Sequence, residues 1–196
     1  MFSRAYVEIT NVCNMACAFC PGTAREKGFM TPETFALLAG KLVRGRVLRA
    51  DFTLYGSFAQ TYKGHGTDRA LVAGVMGFST DDPRIRDSFS LAEQAGLAYS
   101  YTIGGLERVL HPNTVDITLQ SDTGQSVSVR GASTGGGSCL IERIDGVAVS
   151  LSGDYNTLLI RQQDIPGVVA YITGVLSDYG INIAFMRMYR ETKGKT

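Results

Sequence analysis

Between residues 48 and 153 the sequence predicts an α+β fold, with helices early and antiparallel strands late. Three observations lead there. First, a strand candidate, Asp51–Tyr55, precedes two segments of helical periodicity, Arg69–Phe78 and Asp82–Gly96, with Pro83 in the first turn of the second and Gly96 at its end. Second, the periodicity then switches to alternation. Leu97–Ile103 reads as a strand, Val115–Leu119 and Gln125–Arg130 flank Ser-Asp-Thr-Gly, and Cys139–Ile144 and Val147–Leu151 flank Asp145-Gly146, a two-residue hairpin signature. Third, after Gly153-Asp154 the pattern becomes strand (Thr157–Arg161), helix (Pro166–Tyr179, stopped by Gly180) and strand (Ile181–Tyr189), a βαβ unit.

The N-terminal end has a different character. Ala5–Thr10 alternates and is rich in β-formers, so it reads as a strand. Cys13, Cys17 and Cys20 follow at spacings of four and three, which lets three thiolates converge on one soft metal centre from a single loop. Three ligands on a [4Fe–4S] cluster leave one iron open. Thr31 then caps a helix with Pro32 in its first turn. The segment ITNVCNMACAFCPGTAREKGFMTPETFALLAGKL, with aromatic Phe19 before the last cysteine, resembles the start of the radical S-adenosylmethionine enzymes. That resemblance implies a βα fragment over residues 1–45, a cluster on the three cysteines, and S-adenosylmethionine as a co-substrate if the chain is a fragment of such an enzyme. The further βα units of that barrel are not found in the sequence.

Bulk properties narrow the classes. The chain has 196 residues, with 19 Lys+Arg against 18 Asp+Glu and a formal net charge of +1. That balance argues against nucleic-acid and anionic-membrane partners. No apolar run approaches a membrane span, and the N-terminus lacks a continuous apolar signal segment, so the expected location is the cytoplasm. Three of the four cysteines fall within eight residues, which fits a metal site in a reducing compartment better than disulfides.

The stretch most suited to chemistry is Tyr55–Asp68, YGSFAQTYKGHGTD, a polar, glycine-flanked segment between a strand and a helix. His65 sits between Gly64 and Gly66, which allow close approach of another molecule. Imidazole titrates near neutrality and suits proton transfer. Lys63 can hold a carboxylate, and Thr67 or Asp68 can orient the ring or simply cap the next helix. His111 heads a second loop, His-Pro-Asn-Thr, where an ordinary turn is an equally good reading. Gly135–Gly137 can cradle a carboxylate through backbone N–H groups or serve as a turn. Cys139 reads as a packed small apolar residue.

Taken together, LYGSFAQTYKGHGTDRALVAGVMGF, DDPRIRDSF, HPNTVDI, GASTGGGS and IDGVAVSLSG resemble the β subunit of the iron–sulfur-dependent L-serine ammonia-lyases over about residues 48–196. The resemblance implies an allosteric-substrate-binding-type domain over residues 46–153. It also implies a truncated ACT module over 154–196, the βαβ of a βαββαβ fold, whose last half is absent. The matching ACT residues are Asp164-Ile-Pro-Gly167-Val and Gly180-Ile-Asn-Ile-Ala184, and they put effector binding on Asp164, Gly167 and Asn182. L-Serine is the implied substrate and an α subunit the implied partner. The [4Fe–4S] cluster is then carried by that α subunit, with a separate one at the N-terminal cysteines. His65 becomes the base that removes the Cα proton, with Lys63 and His111 beside it, and ACT contacts make the protein oligomeric. The GPSSSHT loop that normally opens the family's β region is absent, and the cysteine-rich segment stands in its place, so the chain reads as a join of two partial genes. The other functions the sequence admits are a radical S-adenosylmethionine enzyme fragment and a non-catalytic amino-acid sensor.

Overall fold

A computed structural model describes residues 2–9, 36, 39–105, 109, 111–135, 138–152, 156–163 and 165–190. The chain divides into two compact units: Gly28–Ser152, and Gly153–Thr196 together with Met1–Lys27.

The larger unit is the α+β fold that the sequence predicts. Its strands are β2 (Val47–Leu54), β3 (Ala98–Ile103), β4 (Thr114–Ser121), β5 (Ser126–Gly135), β6 (Ser138–Ile144) and β7 (Val147–Leu151). They form one sheet in the order β3-β2-β4-β5-β6-β7. Only the β2–β3 pair is parallel, and apart from the helical residues 36 and 39–41 ahead of β2, the described helices of the unit fall in the connection between those two strands. That connection carries α1 (Gly56–Thr61), α2 (Thr67–Val75), a 3-10 helix (Pro83–Asp87) and α3 (Ser88–Gln94). β4 to β7 form an antiparallel meander with short local turns, and β4 also pairs antiparallel with β2 across the long connection.

Alternation along the strands selects the core. Ala50, Phe52 and Leu54 on β2 and Val115, Ile117 and Leu119 on β4 are fully buried, as are Leu71, Val72 and Ala73 on α2. Each large side chain removed from water this way contributes roughly 1.5–3 kcal/mol. The hairpin expected at Asp145-Gly146 is present, with φ of 47° at Asp145 and 80° at Gly146, the two positive angles that a type I′ turn needs.

Two segments differ from the sequence reading. Tyr55–Asp68 is not one open loop, because Phe58 is buried and anchors the short helix α1 within it. Asp82–Gly96 is not one helix. Asp82 caps the 3-10 turn by accepting from the Arg84 N–H at 2.9 Å, and α3 begins only at Ser88, which is buried and bonded to the Arg69 carbonyl.

The smaller unit holds β1 (Phe2–Ile9), β8 (Asn156–Gln163), α4 (Val168–Asp178) and β9 (Ile183–Arg190). The βαβ read from the sequence is β8-α4-β9. The sequence reading placed the first strand at the head of a separate segment over residues 1–45. In the structure it instead lies in the middle of a three-stranded sheet, β8-β1-β9, antiparallel to both neighbours. Two strands parallel to each other and one strand-width apart leave facing rows of unpaired N–H and C=O groups. A third strand running the other way satisfies both rows. No helix among the described residues is long and apolar enough to cross a membrane.

Candidate functional site

One end of the six-stranded sheet collects the motifs that the sequence singled out. β2 ends at Leu54, β4 starts at Thr114, and β5 and β6 meet beyond Gly135↔Ser138. The Tyr55-Gly56-Ser57 corner, the His-Pro-Asn-Thr turn and the Ser133–Gly135 strand end therefore lie side by side.

Hydrogen bonds join them. The Tyr55 N–H donates to the Thr114 carbonyl at 3.0 Å, the Ser57 N–H to the Pro112 carbonyl at 2.7 Å, and the Ser133 N–H to the Asn113 carbonyl at 2.9 Å. Gly56 has φ of 53° and its α-carbon faces Pro112 so closely that a β-carbon would overlap the Pro112 backbone. Glycine is required there both by conformation and by contact. Within the turn, the Asn113 N–H donates to His111 Nδ1 at 3.2 Å and the Thr114 hydroxyl to the His111 carbonyl at 2.6 Å.

Behind this corner lies a cluster of charged side chains that sequence reasoning missed. Arg130 on β5 donates to both oxygens of Asp116 on β4, each at 2.6 Å. The Tyr55 hydroxyl donates to Asp116 Oδ2 at 2.9 Å, and Arg130 Nη2 donates to the Tyr55 oxygen at 3.3 Å. The Arg130 side chain is only 9% exposed and Asp116 23%. Glu142 on β6 is also buried. Burial pushes its carboxyl above the usual range, against the pull of Arg130, His111 and Arg143, while Asp116 adds to the rise. The signal available in the sequence was the cross-strand register Asp116↔Arg130, legible only once the Ser-Asp-Thr-Gly hairpin is closed in the right register.

His65 and Lys63 occupy the turn at the other end of α1, and both are exposed. The His65 N–H donates to the Thr61 carbonyl at 3.1 Å, and its ring makes no hydrogen bond or ion pair among the described residues. Lys63 Nζ lies 5.8 Å from the Tyr62 ring centre. Six residues of α-helix span about 9 Å, so the structure links the His65 turn to the His111 turn through α1 without bringing the two imidazoles into contact. The next helix starts differently from expectation. Gly66, at φ 69°, takes the cap position, and Asp68, inside the first turn, accepts from the Arg69 N–H through its carboxylate at 2.8 Å. Chain reversal straight out of α1 needs a left-handed residue at that point, which only glycine adopts cheaply. Thr67 is buried instead, and the Asp68 carbonyl accepts from the Tyr101 hydroxyl at 2.6 Å.

Gly167, at φ 90°, caps α4, and Asn182 lies beyond the helix's far end, before β9. Eleven helical residues span roughly 16 Å, so one small amino acid cannot touch both within one copy. Asp164, Cys13, Cys17, Cys20, Gly136 and Gly137 lie outside the described residues. Cys139 is 3% exposed on β6, in keeping with a packing role. Among the described residues no three His, Cys, Asp or Glu side chains converge as a metal site.

Comparison with known proteins adds the family. The serine dehydratase beta chain family matches residues 33–109. The L-serine dehydratase beta chain of Peptoniphilus asaccharolyticus is 43% identical over 148 residues, covering 76% of this chain and 67% of the relative. The probable L-serine dehydratase beta chain of Bacillus subtilis is 36% identical over 166 residues, 80% of this chain and 74% of its own length. A D-3-phosphoglycerate dehydrogenase of Methanocaldococcus jannaschii is 27% identical over 194 residues, which is 94% of this chain but 34% of the dehydrogenase. With two beta chains matched over two thirds or more of their length, the chain belongs to the serine dehydratase beta chain family.

Proposed function

We propose that this chain is the beta side of an iron–sulfur-dependent L-serine ammonia-lyase and is inactive until an alpha chain joins it. The observation that carries the reading is the exposed imidazole of His65, which has no hydrogen bond or ion pair among the described residues, on a turn whose glycines leave it accessible. A base with no partner among the described residues of its own chain is suited to a substrate held by another chain.

Dehydration takes the Cα proton of L-serine and expels the β-hydroxyl, and the resulting aminoacrylate hydrolyses to pyruvate and ammonia. In this reading His65 accepts the Cα proton, and the Lys63 ammonium beside it attracts the substrate carboxylate. In this reading the cluster sits on the alpha chain, as the resemblance implies; Cys13, Cys17 and Cys20 lie outside the described residues, and no step of this chain's chemistry is drawn through a cluster. The similarity to a third of a dehydrogenase supports the division of labour. A segment shared with a protein named for a different reaction is better read as a binding and docking module than as a complete lyase.

The test is anaerobic co-expression with a cognate alpha chain, followed by pyruvate release from L-serine. Pyruvate is expected from the pair and not from this chain alone. H65Q should cut turnover by about 10²-fold or more, the usual worth of a positioned general base, and leave assembly intact. Full turnover by an H65Q pair overturns the assignment of the base, and an inactive wild-type pair with a demonstrably loaded alpha chain overturns the lyase reading.

A further inference from the structure

The turn that leads into β2 carries three cations in six residues, Lys41, Arg44 and Arg46, with no acid among them. Its backbone is pinned to the hairpin between β4 and β5. The Arg44 N–H donates to Gln125 Oε1 at 2.7 Å and the Arg46 N–H to Asp122 Oδ1 at 3.0 Å. In return the Asp122 N–H donates to the Arg46 carbonyl at 3.0 Å and the Thr123 hydroxyl to the Arg44 carbonyl at 3.1 Å. Gly45, at φ 87°, lies so close to Asp122 that a β-carbon would overlap its carboxylate. The Lys41 and Arg46 side chains, by contrast, are exposed and make no hydrogen bond or ion pair among the described residues.

This turn is one wall of a cavity of about 530 Å³, a size typical of small-molecule sites. The other wall is the C-terminal end of α2, Gly74 to Gly77, with Ala95 and Leu97 from the passage between α3 and β3. The walls meet at Gly40, where a β-carbon would stand 3.5 Å from the Val75 carbonyl oxygen. Apolar surface comes from Val47, Val75, Met76 and Leu97, of which Val75 and Leu97 are buried and the other two half-buried. The two walls differ in charge. Lys41 and Arg46 stand on one. The other is the negative pole of α2, because the last carbonyls of a helix lack intrahelical donors. α2 has no basic residue in its last turn to offset that pole.

We infer that this cavity binds a free α-amino acid with an apolar side chain. The carboxylate goes to Lys41 and Arg46, the ammonium to the carbonyl end of α2, and the side chain lies along Val47, Val75, Met76 and Leu97. A simple anion gains from the cations and loses against the helix pole, and a simple amine does the reverse. A ligand with both charges on one carbon skeleton gains from both walls. L-Serine leaves the apolar surface uncovered and is the poorer ligand. The nine residues of α2 span about 14 Å and separate the cavity from the His65 turn at the other end of the helix. The site therefore takes a molecule other than the one His65 would act on, and the assignment stands whether or not His65 is the base.

The test is an NMR titration of the nitrogen-labelled full chain with L-leucine. The amides of Gly45, Gly74 and Gly77 report on the cavity, and those of Gly56 and Gly146 serve as controls. Saturable shifts are expected in the first set and not in the second. The double variant K41E/R46E changes two exposed side chains and should weaken binding about tenfold or more, as loss of charge-assisted contacts does. No saturable shift at millimolar L-leucine, or unchanged affinity in a folded K41E/R46E, overturns the proposal. If the double variant does not fold, ligand analogues decide on the wild-type chain. 4-Methylpentanoate lacks the ammonium, 3-methylbutylamine lacks the carboxylate, and L-serine lacks the apolar side chain, so each should bind about tenfold or more weakly than L-leucine. Equal binding by any of the three removes the contact that it was chosen to probe and overturns the assignment to an apolar amino acid.

Discussion

Replacing Asp116 with alanine should be the most damaging single change in the larger unit that leaves the apolar core untouched. The substitution removes the two carboxylate oxygens that accept from the Arg130 guanidinium, each at 2.6 Å, and the acceptor of the Tyr55 hydroxyl at 2.9 Å, while the 3.3 Å contact of Arg130 with the Tyr55 oxygen can persist. With its side chain 9% exposed, Arg130 cannot regain full hydration, whereas the 23% exposure of Asp116 admits some water to the gap. Removing one member of a buried pair costs about 3–5 kcal/mol, and the partial access of water together with the contacts that Arg130 keeps places this case near the lower bound, about 3 kcal/mol. At this chain length that corresponds to a fall in Tm of about 6–12 °C. The chain has nine tyrosines and no tryptophan, so near-ultraviolet dichroism of tyrosine follows the tertiary structure around Tyr55 through a urea or thermal melt. The double variant D116A/R130M removes the stranded charge and should recover about 2 kcal/mol relative to the sum of the single losses. A D116A loss under about 1 kcal/mol, or strictly additive losses in the double variant, would show that the pair acts as an ordinary surface ion pair and refute the reasoning.

Two glycines with similar backbone angles separate steric from conformational cost. G66A meets open space and should lose only about 1 kcal/mol for its left-handed angle, whereas G56A must also displace Pro112 and should lose at least twice that and broaden the His111 signals, as read by urea melts and NMR. The Arg84 side chain and N–H hold the Asp82 carboxyl at about 2, below its unfolded value near 3.9. Its contribution is therefore present above the unfolded value and lost as pH falls towards 2, so the stability difference between wild type and D82A should shrink over that window in acid denaturation and vanish below it. Deleting residues 1–10 removes the central strand between β8 and β9. Amide protection in those two strands should collapse in hydrogen exchange while β2, β4 and β5 keep theirs, and retained protection in β8 and β9 would contradict the pairing.

Local rules carried much of this protein. Asp145-Gly146 announced its turn because so few residue pairs tolerate two positive φ angles in succession. Buried alternation on β2 and β4 and the helical stripe of Leu71 and Val72 announced the elements, because burial selects apolar residues with the period of the backbone. The α+β class followed from these. The candidate site was only partly legible. His65 and His111 drew attention as rare titratable residues in polar turns. Asp116 and Arg130 did not, since on alternating strands they read as solvent-facing positions, and the bulge at Glu142 is marked in the sequence only by the odd spacing of Ile141 and Ile144, both buried.

Local sequence set where most strands, helices and turns fall, α1 and the 3-10 turn ahead of α3 excepted, because those preferences are settled within a few neighbouring residues. The tertiary structure alone decided which of them meet. It set Tyr55 against Asp116 across 61 positions and Asp116 against Arg130 across 14. It also put a strand from the first ten residues between two from the last forty-one. Such choices depend on register and on the demand that every buried backbone and charged group find a partner, a condition that no short stretch of chain can satisfy or reveal alone.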